Sequence, residues 1–192
     1  MRKSPKKEGV PLYKSTVIND MRTSMKYLVK AEPVIKRLLN GGDILPVEGS
    51  DNEVCTMLDM TCGIDYFHVY QNGLTWGIGS RMQCGKDWNT FTVRMSRESG
   101  AKTEYEKRKY AIEHHGEYPF LSMQGYFDYN DNLISLAIAR TIDVLECVEK
   151  GLGYYQHTKC DKIGQAQFYV IPWLKMAESG YKVLIYKANQ KG

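Results

Sequence analysis

No two cysteines in this chain stand three positions apart, and the five present, at positions 55, 62, 84, 147 and 160, are odd in number. That pattern argues against a zinc ribbon and against a disulfide scaffold, and it implies a reducing cytoplasm. Also missing is any run of about 18 apolar residues, and the first residues hold no apolar segment of the kind that directs export, so neither membrane spanning nor secretion is expected. Glycine loops of the P-loop and dinucleotide types, a G-x-S-x-G nucleophile turn and an H-E-x-x-H metal helix are all absent. An enzyme acting on a small molecule therefore has little to support it.

An excess of one charge is missing too, once the first residues are set aside. Lysine and arginine number 26 against 22 acids, and the segment "MRKSPKK" alone holds Arg2, Lys3, Lys6 and Lys7, so the rest of the chain balances. A nucleic-acid partner would have to be held by a local basic patch rather than by the charge of the whole domain. Residues 1–14 read as a basic flexible tail and residues 15–192 as one globular domain, since the length suits a single sizeable core. What the chain has in plenty is tyrosine, 14 in all, a side chain suited to half-wet surfaces and grooves and common in strands.

The order of elements follows from periodicity and punctuation. "STVINDMRTSMKYLVKAE" sets Val17, Ile18, Met21, Met25, Leu28 and Val29 at helical spacing behind a Ser15 cap, Pro33 opens a second short helix, and Gly41-Gly42 stops it. Ser50 and Glu53 stand in the relation of a capping box for a helix that runs to about residue 61 and exits at Gly63. A strand from Ile64, an Asn72-Gly73 type I′ turn and a returning strand over 74–83 make a hairpin, and "NTFTVRM" supplies a third strand. Thr103 and Glu106 form a second capping box before the helix "TEYEKRKYAIEHH", and "YPFLSMQGYFDY" is a fourth strand. From Asp131 or Asn132 the apolar spacing predicts a long helix through Leu136, Ile142 and Val148, ending at Gly151. "QFYVIPW" reads as a strand, "PWLKMAESG" as a short helix and "YKVLIYK" as a last strand. The class is mixed α/β (α+β), without repeats.

From Ser50 to about residue 130 this order, helix, three meandering strands, helix, strand, resembles the core of the PD-(D/E)XK or restriction-endonuclease-like nuclease superfamily. In that superfamily an acid near the start of one strand and an acid-x-lysine pair on the next bind a divalent metal, often with a helix glutamate. Placed on "GIDYFHVYQNGLTWGIGSRMQ", the first acid is Asp65, Arg81 falls where the second acid should be, and Gln83 replaces the lysine. Glu53 could be the helix glutamate, with Asp59 as a further oxygen ligand. The resemblance implies an Mg²⁺-dependent nuclease hydrolysing nucleic-acid phosphodiesters, with Asp65, Glu53 and Asp59 as ligands, Gln83 positioning water and Arg81 on the scissile phosphate. DNA is the expected partner, ahead of RNA.

The motif is degenerate, because a guanidinium cannot ligate a hard cation and a glutamine carries no charge. The alternative is a catalytically inactive protein of the same fold that binds nucleic acid or a protein partner, with Arg81 closing an ion pair on Asp65. Plainer roles are available to the same residues: Asp65 as a turn residue, Glu53 as half of a capping box, and His114 and His115 against a helix dipole. His68 falls on the other face of its strand from Asp65, which argues against it as a co-ligand. The basic stretch 86–109 adds Arg94, Arg97 and Lys102 as candidate phosphate contacts, the last close to a helix N-terminus.

Overall fold

The computed structural model describes residues 12–47, 52–98, 100–158 and 166–188. In chain order these form α1 (Leu12–Leu38), β1 (Asp43–Pro46), α2 (Glu53–Met57) running on into a π-helical turn (Leu58–Cys62), β2 (Tyr66–Val69), β3 (Thr75–Cys84), β4 (Thr90–Arg97), α3 (Glu104–Glu113), β5 (Leu121–Phe127), β6 (Leu133–Arg140), α4 (Thr141–Glu149), β7 (Tyr154–Thr158), β8 (Ala166–Pro172), α5 (Trp173–Glu178) and β9 (Val183–Lys187). A six-stranded sheet has the order β1-β2-β3-β5-β6-β9, and a three-stranded sheet the order β4-β8-β7. All pairings are antiparallel except β3 with β5. The mixed α/β class expected from the sequence is what this chain adopts.

The meander is built from other strands than expected. β1 pairs with β2 and β2 with β3, whereas β4 leaves that sheet and pairs with β8. A parallel partner for β3 cannot be reached by a tight turn, so the chain crosses over through β4 and α3 before β5 lies beside β3 from Ile78↔Leu121 to Cys84↔Phe127. The order is thus α1, a three-stranded meander with α2 between β1 and β2, a detour into a second sheet, α3 and a parallel strand.

Two apolar layers fix this arrangement. α1 covers one face of the large sheet with Tyr27, Leu28, Ala31 and Ile35, which meet Tyr66, Ile78, Met123, Leu136 and Ile138. On the other face Tyr126, Ala137 and Ala139 pack with Phe91, Val93, Tyr169 and Ile171 of the small sheet and with α4 and Trp173. β6 sends alternate residues into both layers, which is why its apolar run carries no polar face. That explains the main misreading of the sequence: the long helix expected from residue 131 is a strand to Arg140 followed by α4, because a doubly buried strand and a buried helix look alike by apolar content. Polar groups between the sheets are matched. Gln124 Oε1 accepts from the Thr92 backbone N–H and hydroxyl at 2.8 and 3.1 Å, and Gln124 Nε2 donates to the Tyr126 hydroxyl at 2.8 Å.

Local expectations fared unevenly. Thr103 and Glu106 form the capping box. The helix at Glu53 is capped by Asn52, whose Oδ1 accepts from Val54 and Cys55 N–H, and Ser50 lies outside the described residues. Pro33 sits inside α1 and starts no second helix, and residues 12–14, expected in the tail, belong to that helix. The hairpin turns at Asn72-Gly73, but of the turn residues only Gly73 has positive φ, at 83°. Tyr70 N–H bonds to Leu74 O and Gly73 N–H to Tyr70 O, so the loop is three residues with a left-handed third position rather than a type I′ pair. β1 and β7 were not foreseen.

Trp173 is fully buried, with its ring 6.0 Å from that of Phe91 in one sheet and 5.6 Å from that of Tyr126 in the other. Trp173→Ala removes the shared wedge between the sheets and is expected to cost about 3–5 kcal/mol of unfolding free energy, measured by urea denaturation.

Candidate active site

β2 ends its pairing with β3 at Tyr66↔Ile78, so the next N–H groups of β3 on that side lack a strand partner. Asp65, one residue before β2, fills the gap: the Ser80 N–H donates to its Oδ2 at 2.5 Å. This satisfies a backbone donor and draws a carboxyl group off the surface. Burial pushes the Asp65 carboxyl up to about 7, against the pull of the Ser80 N–H and Arg108, with the charges of Asp59 and Glu104 adding to the rise.

The neighbours arrive from two helices. Asp59 stands in the π-helical turn, a wide turn of the kind that often marks functional positions, and Gly63 ends it at φ 71°. Burial raises the Asp59 carboxyl too, with Lys107 pulling the other way. From α3 come Glu104, Lys107 and Arg108. Arg108 is 7% exposed and its guanidinium lies on the bare backbone of β3: a Cβ at Gly79 would stand 2.2 Å from its Nη2. Glycine at that position thus leaves the room the guanidinium occupies, and a side chain there would displace Arg108.

Glu104 is held from both sides. Arg108 Nη1 donates to Oε1 at 2.6 Å and Arg81 Nη2 to Oε2 at 2.9 Å. Burial pushes the Glu104 carboxyl up, but Arg108, Arg81 and the Arg94 backbone N–H together outweigh it and hold the group below the ordinary glutamate range. Arg108 also donates to the Ser122 hydroxyl at 3.3 Å, and Ser122 meets the Thr141 hydroxyl at 2.9 Å, so the pair is tied to β5 and α4. Asp59, Asp65, Ser80, Glu104, Arg97, Lys107 and Arg108 line one cleft of about 200 Å³.

The residues expected from the sequence are therefore split. Asp65 and Asp59 come together with Arg97. Arg81 is beside them, but its partner is Glu104 and not Asp65, because α3 delivers a carboxylate to the strand face that Arg81 occupies. Gln83 is one repeat further along the same face of β3 and opens into a second cavity, away from the acids. Glu53 is exposed in the first turn of α2 and does not line the cleft, because Asn52 rather than Ser50 caps the helix and sets it in the first position. The Arg94 guanidinium lies 5.3 Å above the Phe168 ring, and Lys102 lies over Tyr110 at 4.9 Å, away from the cleft. His68 is buried, with Nε2 on Gly41 O at 2.7 Å.

Glu104, Lys107 and Arg108 were missed. The signal was available: "TEYEKRKYAIE" has a capping box and little beyond Tyr105 and Ile112 to pack against the core, so the rest of its inward face had to be polar, and an acid and an arginine four apart would share it. Among the described residues, no three histidine, cysteine or acidic side chains are grouped as a ready-made metal cluster. No protein-family model matches this sequence, and neither a curated protein nor a solved structure matches it.

The Asp65 shift sets a direction for stability against pH. A carboxyl near 7 in the fold and near the usual 3.8 when unfolded keeps its proton in the native state alone between those values, so stability falls as pH rises through that window. Asp65→Asn retains an oxygen for the Ser80 N–H and does not titrate. Thermal melts should show the wild-type protein losing stability relative to Asp65→Asn as pH rises from about 4 to about 7, with the difference levelling off above that.

Proposed function

We propose that this chain is a divalent-metal-dependent phosphodiesterase acting on nucleic acid, with its reaction at the Asp65 cleft. The observation that carries the reading is a half-buried carboxyl group raised to about 7, sharing a cleft with two more acids and three cationic side chains. Burying an acid against its own ionisation is costly and concentrates at functional sites. A weaker support is the α3 crossover that sets β5 parallel to β3, which matches the helix-then-strand end of the superfamily order, although α2 falls between β1 and β2 and β4 leaves the sheet.

The donor set suits Mg²⁺, which takes hard oxygen ligands and is commonly bound by one or two carboxylates completed by water and substrate phosphate. Asp65 is the first ligand in this reading, since its Oδ1 accepts no hydrogen bond among the described residues, and Asp59 is the second. Bound there, the ion would polarise a phosphoryl oxygen and lower the pKa of a coordinated water. The side chains do the remaining work. Lys107 and Arg97 draw the phosphate to the cleft mouth, and Arg108 fixes Glu104 and contributes charge beneath the reacting group. Arg81, about a quarter exposed, can share its guanidinium between Glu104 and a phosphate oxygen. The four described cysteines are unpaired, in keeping with work in the cytoplasm.

A second reading has its own observation. Both Glu104 oxygens are taken by arginines, an arrangement that suits a protein binding nucleic acid without cleaving it. One titration separates the two: supercoiled, linear and single-stranded DNA, and RNA, incubated with Mg²⁺ or Mn²⁺ and scored for cleavage and gel shift. Cleavage that depends on the cation and is abolished by Asp65→Asn supports the enzyme. Binding without cleavage under either ion sinks it and leaves the binder. In either case Arg97→Glu should weaken binding and reduce its salt dependence, and Lys102→Glu should do less, being remote from the cleft.

A further inference from the structure

Arg81 separates the acid cleft from a second cavity of about 300 Å³, and nothing in the proposed hydrolysis uses that cavity. Its floor is the outer face of the small sheet. The register Thr92↔Val170↔Tyr154 and Arg94↔Phe168↔Gln156 sets one row of side chains above another, while Phe91, Val93, Tyr169 and Ile171 go to the core on the opposite face. The floor is rigid: Thr90 and Thr92 are fixed from below by Tyr126 and Gln124. Trp88 and Tyr154 stand at the rim, 53% and 50% exposed. Large aromatic rings left this open in a cavity wall are costly in water unless something covers them.

The polar groups in the cavity are as informative as the rings. Gln83 and Gln156 both line it, and neither side-chain amide makes a hydrogen bond among the described residues. Each amide offers an acceptor and a donor side by side, the pattern that pairs with a base edge. The Phe168 ring already carries the guanidiniums of Arg81 at 5.0 Å and Arg94 at 5.3 Å, and Lys86 lies 4.1 Å over the ring of Trp88, so cations surround the aromatic surface. Arginine and aromatic rings with unspent amides, in a cavity at the small end of the ligand range, match an unpaired nucleobase joined to a phosphate. A base in a duplex could not enter.

From this we infer that the cavity is a subsite for the base adjoining the phosphate in the Asp65 cleft, with Arg81 at the junction, and that the substrate is single-stranded nucleic acid. The inference rests on the reading of the cleft as a phosphate site and adds its substrate class. Trp88 and Tyr154 stack on the base, and Gln83 and Gln156 meet its edge. Because both rings are half-exposed, their truncation leaves the fold intact.

The test measures binding in EDTA, apart from cleavage, using fluorescence anisotropy of labelled 12-nucleotide (roughly the size of strand such sites cover) single-stranded DNA, the same RNA and the corresponding duplex. The wild-type protein should prefer single strands. Trp88→Ala and Tyr154→Ala should each weaken single-strand binding about ten-fold or more with duplex binding and melting temperature unchanged, and Trp88→Phe and Tyr154→Phe should restore it. The DNA and RNA arms decide which strand is favoured. Equal losses on duplex and single strand, no loss in either alanine variant, or no binding of single strands at all overturns the subsite. Cleavage is scored separately with Mg²⁺: cleavage insensitive to Trp88→Ala leaves the enzyme and removes the subsite, whereas ring-dependent binding without cleavage keeps the subsite and removes the enzyme.

Discussion

Glu104 between Arg81 and Arg108 is the constraint on which the site depends. One carboxylate joins the long strand β3, the helix α3 and, through Ser122 and Thr141, the strand β5 and helix α4. A buried guanidinium without a partner is expensive, so once Arg108 is placed against Gly79 the position of Glu104 follows, and with it the angle of α3. Arg81 is then drawn to the same carboxylate. What is left over is Asp65, which accepts a backbone N–H but is bonded to no cation, and its carboxyl is raised because burial outweighs the pull of the Ser80 N–H and of the more distant Arg108.

The two clefts are therefore not independent features. β3 is long enough to be covered by β2 for only its first part, and its uncovered remainder holds Ser80 toward Asp65, Arg81 toward Glu104 and Gln83 toward the small sheet. The departure of β4 from the large sheet is what opens the second cavity, since β4 held in that sheet would have left β8 and β7 without the partner that forms the face carrying Phe168 and Tyr154. An acid-lined cleft and an aromatic one meet at a single arginine. A charged group linked to a flat ring fits that layout, which is the chemistry of a nucleotide.

Much of this was legible in the residues, and the failures have physical causes. The hairpin, the Thr103 cap, β5, β8 and β9 all follow from local chemistry that tertiary contacts do not override. β6 was hidden because it is buried on both faces, and β7 because its five residues sit between Gly151 and Gly153 and a polar stretch with no apolar alternation to mark them. Asp65 could be picked out by its place at a strand start, but Glu53 and Glu104 could not be told apart. Both follow a helix start closely, and only the fold decides which helix leans on β3. Gln83 was placed correctly on the face of Arg81 and wrongly beside Asp65, a difference that depends on where β4 goes.

The central claim is that Asp65 is an acid held by the fold above its natural range and relieved by a cation. It is tested most directly by following the Asp65 side-chain carboxyl carbon by ¹³C NMR through a pH titration, without and with Ca²⁺. The account requires titration near 7 in the absence of the ion and a midpoint well below that in its presence. A midpoint in the ordinary aspartate range without metal, or one near 7 that Ca²⁺ leaves unmoved, would contradict it.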